Sequence, residues 1–453
     1  MLFFRPPKWL RAHDARGGGF RGTYFTKPMD WLTVTIWAVG TCGTLLALGL
    51  AAQTHEFRRF VRSRLRKPRA DAAAPRVLLF APCKGAEPGL YENLQPLFTQ
   101  NYDNYRLVLV VESRDDPALH IIRQLIADHP QRQACWQVAE QATDSGQKVH
   151  NLLAATGDLA DVEYLAFVDS DARPHANWLR QLVQHLDRPS IAAATGYRWF
   201  VPQTNTLANL VLHSINAGVA ALVGPGKHHM LWGGAWAIRR EAFGQIKLRA
   251  AWKGTLSDDL VAARQLAAHR LNIEFEPAAM TLSPVDVAWP QLWDFVRRQY
   301  VIARFYSPIW WWTALAACSV AQLAFWGSLT LTLVGVLTSA AWALPAAVVC
   351  GTQYGVFMLR SALRQSAASA FAASASRQLR AARWFDVWCS PLAGLVNWLC
   401  LVASAWGNRL TWRGITYTLL PGGKVAAIER DGTILKLTTI AAKPQAAAFR
   451  KAG

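Results

Sequence analysis

Phe167-Val168-Asp169-Ser170-Asp171-Ala172 sets two carboxylates one residue apart at the exit of the hydrophobic run Tyr164 to Val168. The run reads as a buried strand, and acids at the carboxyl end of a strand in an α/β sheet point into the crevice where ligands collect. Two carboxylates so placed can hold a divalent cation through oxygen, and the cation neutralises a diphosphate. An isolated Asp-x-Asp is more often a solvated turn, so the reading rests on its surroundings.

Upstream, Arg76 to Phe80 is a strand that closes on Ala81-Pro82-Cys83-Lys84-Gly85, and Tyr105 to Val111 is another that ends at Glu112-Ser113-Arg114-Asp115-Asp116-Pro117. Ala134 to Ala139 is a further strand, and helical patterns fill the gaps at Leu90 to Gln100, Leu119 to Asp128 and Gln147 to Ala155. Such alternation predicts an α/β domain, a mostly parallel sheet with helices on both faces. Lys84, the Asp115-Asp116 pair and the Asp169/Asp171 pair then fall on one rim. Asp-Asp-Pro also suits a helix start, because Asp caps and Pro fits the first turn; the cap and ligand readings are compatible. Farther on, Gly233-Gly234 precedes an apolar strand, where close backbone approach and a simple turn need glycine equally. Ser257-Asp258-Asp259 opens an amphipathic helix, a position where an acid is favoured electrostatically whatever else it does.

The 453 residues are 52% hydrophobic and include 21 Trp, unevenly spread. Trp31 to Ala52 and Trp310 to Leu337 carry no charge, Ala341 to Met358 follows after a short break, and a weaker apolar stretch runs from Val387 to Trp406. A bilayer crossing takes about 20 apolar residues, so the chain reads as a multi-pass integral membrane protein. The first segment is longer than a signal-peptide core of about 7–15 residues and is followed by basic rather than small residues, so it reads as a retained anchor. Arg58, Arg59, Arg62, Arg64, Arg66, Lys67 and Arg69 come next, which by the positive-inside rule puts the central region in the cytoplasm. Arg360, Arg364, Arg377, Arg380 and Arg383 mark a second cytoplasmic loop on the same rule. The net charge of +19 clusters beside the membrane segments, which anionic headgroups explain more simply than nucleic acid, and no nucleic-acid partner is expected. Seven cysteines without a Cys-x-x-Cys pair indicate neither a disulfide framework nor a zinc site. His213, His228 and His229 have no carboxylate at ligand spacing and read as structural or substrate-lining.

The order Pro-Cys-Lys-Gly, Asp-Asp-Pro-Ala, Asp-Ser-Asp, Gly-Gly and Asp-Asp, followed by an aromatic-basic segment beside the membrane, resembles the inverting glycosyltransferases of the GT-A fold, and among them the ceramide glucosyltransferase family (glycosyltransferase family 2/21 type). The likeness runs from the anchor to Thr411-Trp412-Arg413-Gly414-Ile415-Thr416-Tyr417-Thr418-Leu419. It implies a Rossmann-like nucleotide-diphospho-sugar transferase domain at 76–305. An N-terminal segment (1–30), an anchor (31–53) and a basic linker (54–75) precede it; a transmembrane region (306–406) and a tail (407–453) follow. By the resemblance, Asp116 with Asp115 contacts the nucleoside of a UDP-sugar beside Lys84, and Pro82, Gly85, Glu87, Lys148 and Asp169 belong to the same site. Asp169 and Asp171 would hold Mg2+ or Mn2+, Asp259 beside Asp258 would be the general base, and Gly233, Gly234, Arg298 and Arg304 would serve the acceptor and the diphosphate. The chemistry is coherent: a metal stabilises charge on a leaving diphosphate, and a carboxylate opposite it takes the proton of the attacking hydroxyl.

One departure stands out. The family pattern closes the domain with Gln or Arg, two residues, then Arg-Trp, whereas here Val301 and Ile302 follow Arg298 at those positions. Arg304, on the next helical turn, is expected to supply the missing cation. An amphipathic interfacial helix whose arginines meet lipid phosphates accounts for the same segment. The expected activity is transfer of a hexose, with glucose favoured, from a UDP-sugar to a lipid hydroxyl such as that of ceramide, with Tyr306 to Trp312 at the membrane interface. A processive polysaccharide synthase and a catalytically silent membrane scaffold are the competing readings. Val425 to Ile440 is expected to form a hairpin around Asp431-Gly432.

Overall fold

The computed structural model describes residues 31–65, 75–159, 161–226 and 230–437. His228, His229, Arg66, Lys67, Arg69 and the last residues of the expected hairpin lie outside them. A long helix, α1 (Trp31–Leu65), precedes the α/β domain. There β1 (Val77–Pro82), α2 (Leu90–Phe98), β2 (Tyr105–Val111), α3 (Ala118–Asp128), β3 (Ala134–Val138), α4 (Gln147–Ala155) and β4 (Tyr164–Phe167) alternate as the sequence predicts. α5 (Trp178–Val183), β5 (Ile191–Thr195), β6 (Arg198–Pro202), α6 (Leu207–Ala220), β7 (Trp236–Arg239), α7 (Arg240–Gln245), α8 (Leu248–Trp252), α9 (Asp258–Ala268), β8 (Asn272–Phe275) and β9 (Thr281–Val285) complete it.

The main sheet has the order β3-β2-β1-β4-β7-β5-β8. β1, β2, β3 and β4 are mutually parallel, while β7 runs antiparallel between β4 and β5. Both faces are buried because alternate residues of each strand feed separate cores. Val77, Leu79 and Ala81 of β1 join α2, α3 and α5, whereas Leu78 and Phe80 join α4, α8 and α9. Each fully buried apolar side chain of this kind contributes roughly 1.5–3 kcal/mol. Phe167 stacks on Trp236 across β4 and β7 at 4.1 Å between centroids, which fixes the strand that delivers Asp169.

After the sheet come α10 (Trp289–Tyr306), α11 (Pro308–Gln322) continuing through a π-turn into α12 (Ser328–Leu337), α13 (Ala343–Phe371), α14 (Leu379–Trp388) and α15 (Ser390–Ala403). Among the described residues, Trp31–Leu65 and Pro308–Leu337 are long and apolar enough to cross a membrane, and α14 with α15 forms a third such unit bent by 83°. The weak apolar stretch from Val387 is thus broken at Cys389, ahead of Pro391. α13 runs on well past Met358, so Arg360 and Arg364 are helical and not in a loop; Arg364 is buried and pairs with Asp386. α1 and α13 lie parallel: Thr44 meets Gln353, Thr54 meets Arg360, and Arg62 meets Ser366. The basic end of α1 also grips the α/β domain, through Arg64 and Glu274 of β8.

The segment 407–453, expected as a tail, begins instead with a four-stranded antiparallel sheet of β10 (Arg409–Trp412), β11 (Ile415–Leu419), β12 (Val425–Arg430) and β13 (Thr433–Lys436). β12 and β13 form the hairpin around Asp431-Gly432. Leu410, Ile415, Tyr417, Leu419, Val425 and Ile428 enter the same core as α4, α8 and α9, so this sheet completes the α/β domain.

Candidate active site

Three strand ends converge as expected. Pro82 ends β1, and Gly85 beyond it, at φ 70°, donates its N–H to Asp116 Oδ1 at 2.9 Å. The same oxygen accepts from Ala118 N at 2.9 Å, so Asp116 ties the first strand exit to the start of α3. Asp115 is exposed beside it. Lys84 pairs with Glu112 at the end of β2, and Glu87 receives Arg413 Nη2 at 3.0 Å.

The centre of the site is Lys148 on α4. Its Nζ lies 2.6 Å from Asp169 Oδ1, 2.9 Å from Asp258 Oδ1 and 3.3 Å from Gly233 O. Burial works against its charge, but the carboxylates of Asp169, Asp258 and Asp259 raise its pKa above that of an ordinary lysine. Burial is also the main cause that pushes Asp258 up to about 7, with Lys148 opposing and Asp259 and Asp169 adding to it. Asp258 Oδ2 is buried and has no hydrogen-bond partner among the described residues.

Asp259 stands one residue farther along α9. Its Oδ1 accepts from Ser257 Oγ at 2.5 Å and Leu260 N at 2.7 Å, and its Oδ2 accepts from Gly233 N at 2.8 Å. Each carboxylate oxygen has two lone pairs, which leaves Oδ2 one for a further proton. Gly233 is required by close approach: a Cβ there would sit 2.6 Å from Lys148 Nζ and 3.2 Å from Asp259 Oδ2. A Cβ on Gly234 would meet the Trp232 ring at 2.2 Å. Tyr306, closing α10, holds the loop before Asp258 by accepting from Leu256 N at 2.7 Å and Ser257 N at 3.3 Å while donating to Gly423 O at 2.5 Å.

Arg198 of β6, with no role assigned from sequence, lies 3.7 Å from Asp169 Oδ2 and 3.4 Å from Asp171 Oδ2. Its guanidinium sits 4.8 Å over the Trp232 ring. Burial alone would raise Asp171, but Arg198, then Arg413 and Lys148, hold it below the usual carboxylate range. The only local signal for Arg198 is a cation opening the apolar strand Trp199-Phe200-Val201. Arg298 donates to Thr411 O at 3.3 Å and faces Trp412 of β10 at 5.8 Å. Val301 and Ile302 are buried in the core below the C-terminal sheet.

Arg304 is not brought to the site. Its two terminal nitrogens donate to the carbonyls of Ala405 and Gly407 beyond α15. Residues three or four apart share a helix face and residues six apart do not, so Arg298 and Arg304 diverge and the expected replacement cation is lost. His213 is fully buried between Phe200 O, at 2.8 Å, and Gln365, a structural role.

Among the described residues no third His, Cys, Asp or Glu joins Asp169 and Asp171 in a metal-sized group. A Mg2+ or Mn2+ ion bound together with substrate phosphates needs one or two protein carboxylates, the phosphates and water filling the rest. The pair fits that role and does not fit an all-protein cage.

Over 89 residues the chain is 30% identical to "Ceramide glucosyltransferase 1" and 28% identical to "Ceramide glucosyltransferase 3", both of Caenorhabditis elegans. The matched stretch spans 20% of this chain and 19% of each relative. Among solved structures, a mannosyltransferase from Pyrobaculum calidifontis in complex with GDP-Man and Mn2+ is similar at a TM-score of 0.40 and 16% identity, over 80% of this chain and 99% of that one. GalNAc-T7, solved with UDP, GalNAc and Mn2+, is similar at 0.37 and 10% identity, over 51% and 50%. At TM-scores below 0.5 neither likeness bears on the ligands of this chain. The family glycosyl transferase family 21 matches residues 38–425, nearly the whole chain, and the protein belongs to that family and is a glycosyltransferase.

Proposed function

We propose that the protein transfers a hexose, with glucose favoured, from a UDP-sugar to the hydroxyl of a membrane lipid such as ceramide, inverting the anomeric centre. The observation that carries the reading is the double tie across the cleft: Lys148 bonds both Asp169 and Asp258, and Gly233 N bonds Asp259. Acids from β4 and α9, some 90 residues apart in sequence, are thereby held on opposite sides of one small space.

In this reading Asp116 and the Gly85 turn, with Asp115, Lys84, Pro82 and Glu87 on the same rim, receive the nucleoside. Asp169 and Asp171 hold the divalent ion, which when bound neutralises charge on the diphosphate. Arg198 and Arg298 supply fixed positive charge beside it. Asp259 takes the proton of the acceptor hydroxyl, its carboxylate oriented by Gly233 N and Ser257 Oγ so that no rotamer search precedes attack. Attack from the Asp259 side, opposite the diphosphate, inverts the centre. Asp258, buried behind it, anchors Lys148 and does not touch the acceptor.

Lipid access follows from position. Trp289 and Trp293 of α10 and Ile309, Trp310 and Trp312 of α11 are exposed in sequence-adjacent helices that lead from the site to the first apolar helix after it. Aromatic residues prefer the membrane interface, and an exposed apolar belt of this kind marks lipid contact. Because α13 runs parallel to α1 and beside it, we place α13 at the same membrane depth, giving a multi-pass protein with the catalytic domain on the cytoplasmic side, next to Arg58, Arg59, Arg62 and Arg64.

The test is transfer of label from UDP-glucose to lipid by membranes containing the full chain, with divalent metal, with chelator, and with Asp259→Ala. Labelled lipid that is lost with chelator and with the variant supports the reading. A labelled product that grows into a polymer supports the synthase instead, and no product from UDP-glucose, UDP-galactose or UDP-N-acetylglucosamine sinks the UDP-hexose assignment.

A further inference from the structure

The C-terminal sheet contains two two-residue hairpin loops with both residues at positive φ. Asp431 (47°) and Gly432 (78°) join β12 to β13; Arg413 (49°) and Gly414 (77°) join β10 to β11. Loops of this type favour Asp-Gly or Asn-Gly, since a short polar side chain tolerates the left-handed region and a long one gains nothing there. The Asp-Gly loop is exposed to solvent. The Arg-Gly loop reaches the nucleotide rim, where Arg413 Nη1 donates to Lys84 O at 2.8 Å and Nη2 to Glu87 Oε2 at 3.0 Å. A non-glycine residue held in a sparsely populated conformation is most often found where function needs its side chain in one place.

What surrounds Arg413 suits an anion. Arg413 stands beyond the β1 exit, held at Lys84 and Glu87, two residues after Thr411, whose carbonyl accepts from Arg298 of α10. Cations from three elements line the site: Arg198 of β6 pairs with Asp171, Arg298 of α10 donates to Thr411 O, and Arg413 of the β10–β11 loop docks on Lys84 and Glu87. Guanidinium has five N–H donors in a fixed fork, and Arg413 spends two on Lys84 and Glu87, so three are free to meet phosphate oxygens while the loop stays docked. Arg198 is paired with Asp169 and Asp171 and Arg413 with Glu87, and the N–H donors that remain on each can meet phosphate oxygens.

We infer that Arg413 is a binding residue for the donor diphosphate, carried to the site by the C-terminal sheet, and that this sheet is the outer wall of the donor pocket. The inference rests on the UDP-sugar reading above. It assigns the cation that neither Val301 nor Arg304 supplies to a residue more than 100 positions after Arg298.

The experiment compares UDP with uridine. Dissociation constants of both are measured on the detergent-solubilised full chain with Mn2+ added, for wild type, Arg413→Ala and Arg413→Lys, with thermal unfolding of each variant in the absence of nucleotide. A charge-assisted contact to phosphate predicts that Arg413→Ala weakens UDP about 10- to 100-fold and leaves uridine unchanged, with Arg413→Lys between the two. Equal weakening of UDP and uridine, or no change in either, overturns the assignment and leaves Arg413 as a strut between Lys84 and Glu87. Should Arg413→Ala fail to fold, Arg413→Lys gives the same reading through the UDP-to-uridine ratio, because it keeps the charge and loses the fork. Wild type that binds neither UDP nor uridine sinks the UDP-sugar reading itself, and the assignment with it.

Discussion

The rim of strand exits and the C-terminal sheet meet at the same candidate site but are built in opposite ways. The rim comes from strand exits of one alternating strand-helix run, β1 at Pro82, β2 at Val111 and, beyond β3, β4 at Phe167. The sheet arrives from residue 409 onward, after the apolar helices, and docks through separate long-range contacts: Arg413 on Lys84, Tyr417 on Gln147, Arg430 on Glu112, and Val425 on Gly254. The first region positions acids by the regular geometry of parallel strands. The second positions cations and a hydroxyl by the shape of a packed interface, so it should fail by undocking, where the rim fails by losing chemistry.

The largest effect expected is at the base. Asp259→Asn keeps the size of the side chain and, with its oxygen toward Ser257 and Leu260, loses only the bond from Gly233 N, while it removes proton acceptance, so kcat in the labelled-lipid assay should fall by about 10²–10⁴-fold, with little change in donor KM. A loss below tenfold would hand the base role to another group and dissolve the distinction between chemistry in the rim and packing in the sheet. Lys148→Met comes next. It leaves Asp169 and Asp258 facing each other without their shared cation, and breaking a buried ion pair from one side costs about 3–5 kcal/mol. Lower thermal stability together with loss of UDP binding is expected; intact stability would mean that the tie across the cleft is dispensable.

Tyr417→Phe tests the sheet without touching an acid. The hydroxyl accepts from the buried Gln147 N at 3.1 Å, and an orphaned buried N–H costs about 1–3 kcal/mol. The expected outcome is a lower unfolding temperature and a raised donor KM with kcat nearly unchanged. A fall in kcat alone would contradict a docking role. Arg304→Gln is the smallest for catalysis. Its bonds to Ala405 and Gly407 should make it a stability variant, with donor KM unaltered; a tenfold rise in donor KM would restore it to the diphosphate and remove the need for Arg413 there.

How much was legible in the sequence differs between the two regions for a physical reason. Strand exits are marked by local pattern: a run such as Leu78-Leu79-Phe80 followed by Pro and Gly, or Leu165-Ala166-Phe167 followed by Asp, needs only its own neighbours to be recognised. Asp116, Asp169, Asp171, Gly233 and Asp259 were therefore all singled out; Asp169, Gly233 and Asp259 meet around Lys148, Asp171 meets Arg198, and Asp116 is tied to Gly85. Arg198 was missed because its role depends on what lies across the cleft at Asp171, and Tyr306, expected at the membrane interface, is instead buried in the core and bonded to Leu256, Ser257 and Gly423, partners that no local pattern reveals. Arg304 was misplaced because a spacing of six residues turns it away from Arg298.

The sequence by itself determined the α/β domain, its apolar helices, the family to which the chain belongs and the acids at the strand ends, since periodicity and strand-end chemistry are local properties of a chain. Only the tertiary structure decided that Lys148 links Asp169 to Asp258, that α13 lies parallel to α1, and that residues 409–436 close the site instead of trailing from it. Contacts between residues as much as 329 positions apart are selected by the burial of shared apolar surface and the pairing of buried charge, and neither leaves a pattern within a single segment that could be read in advance.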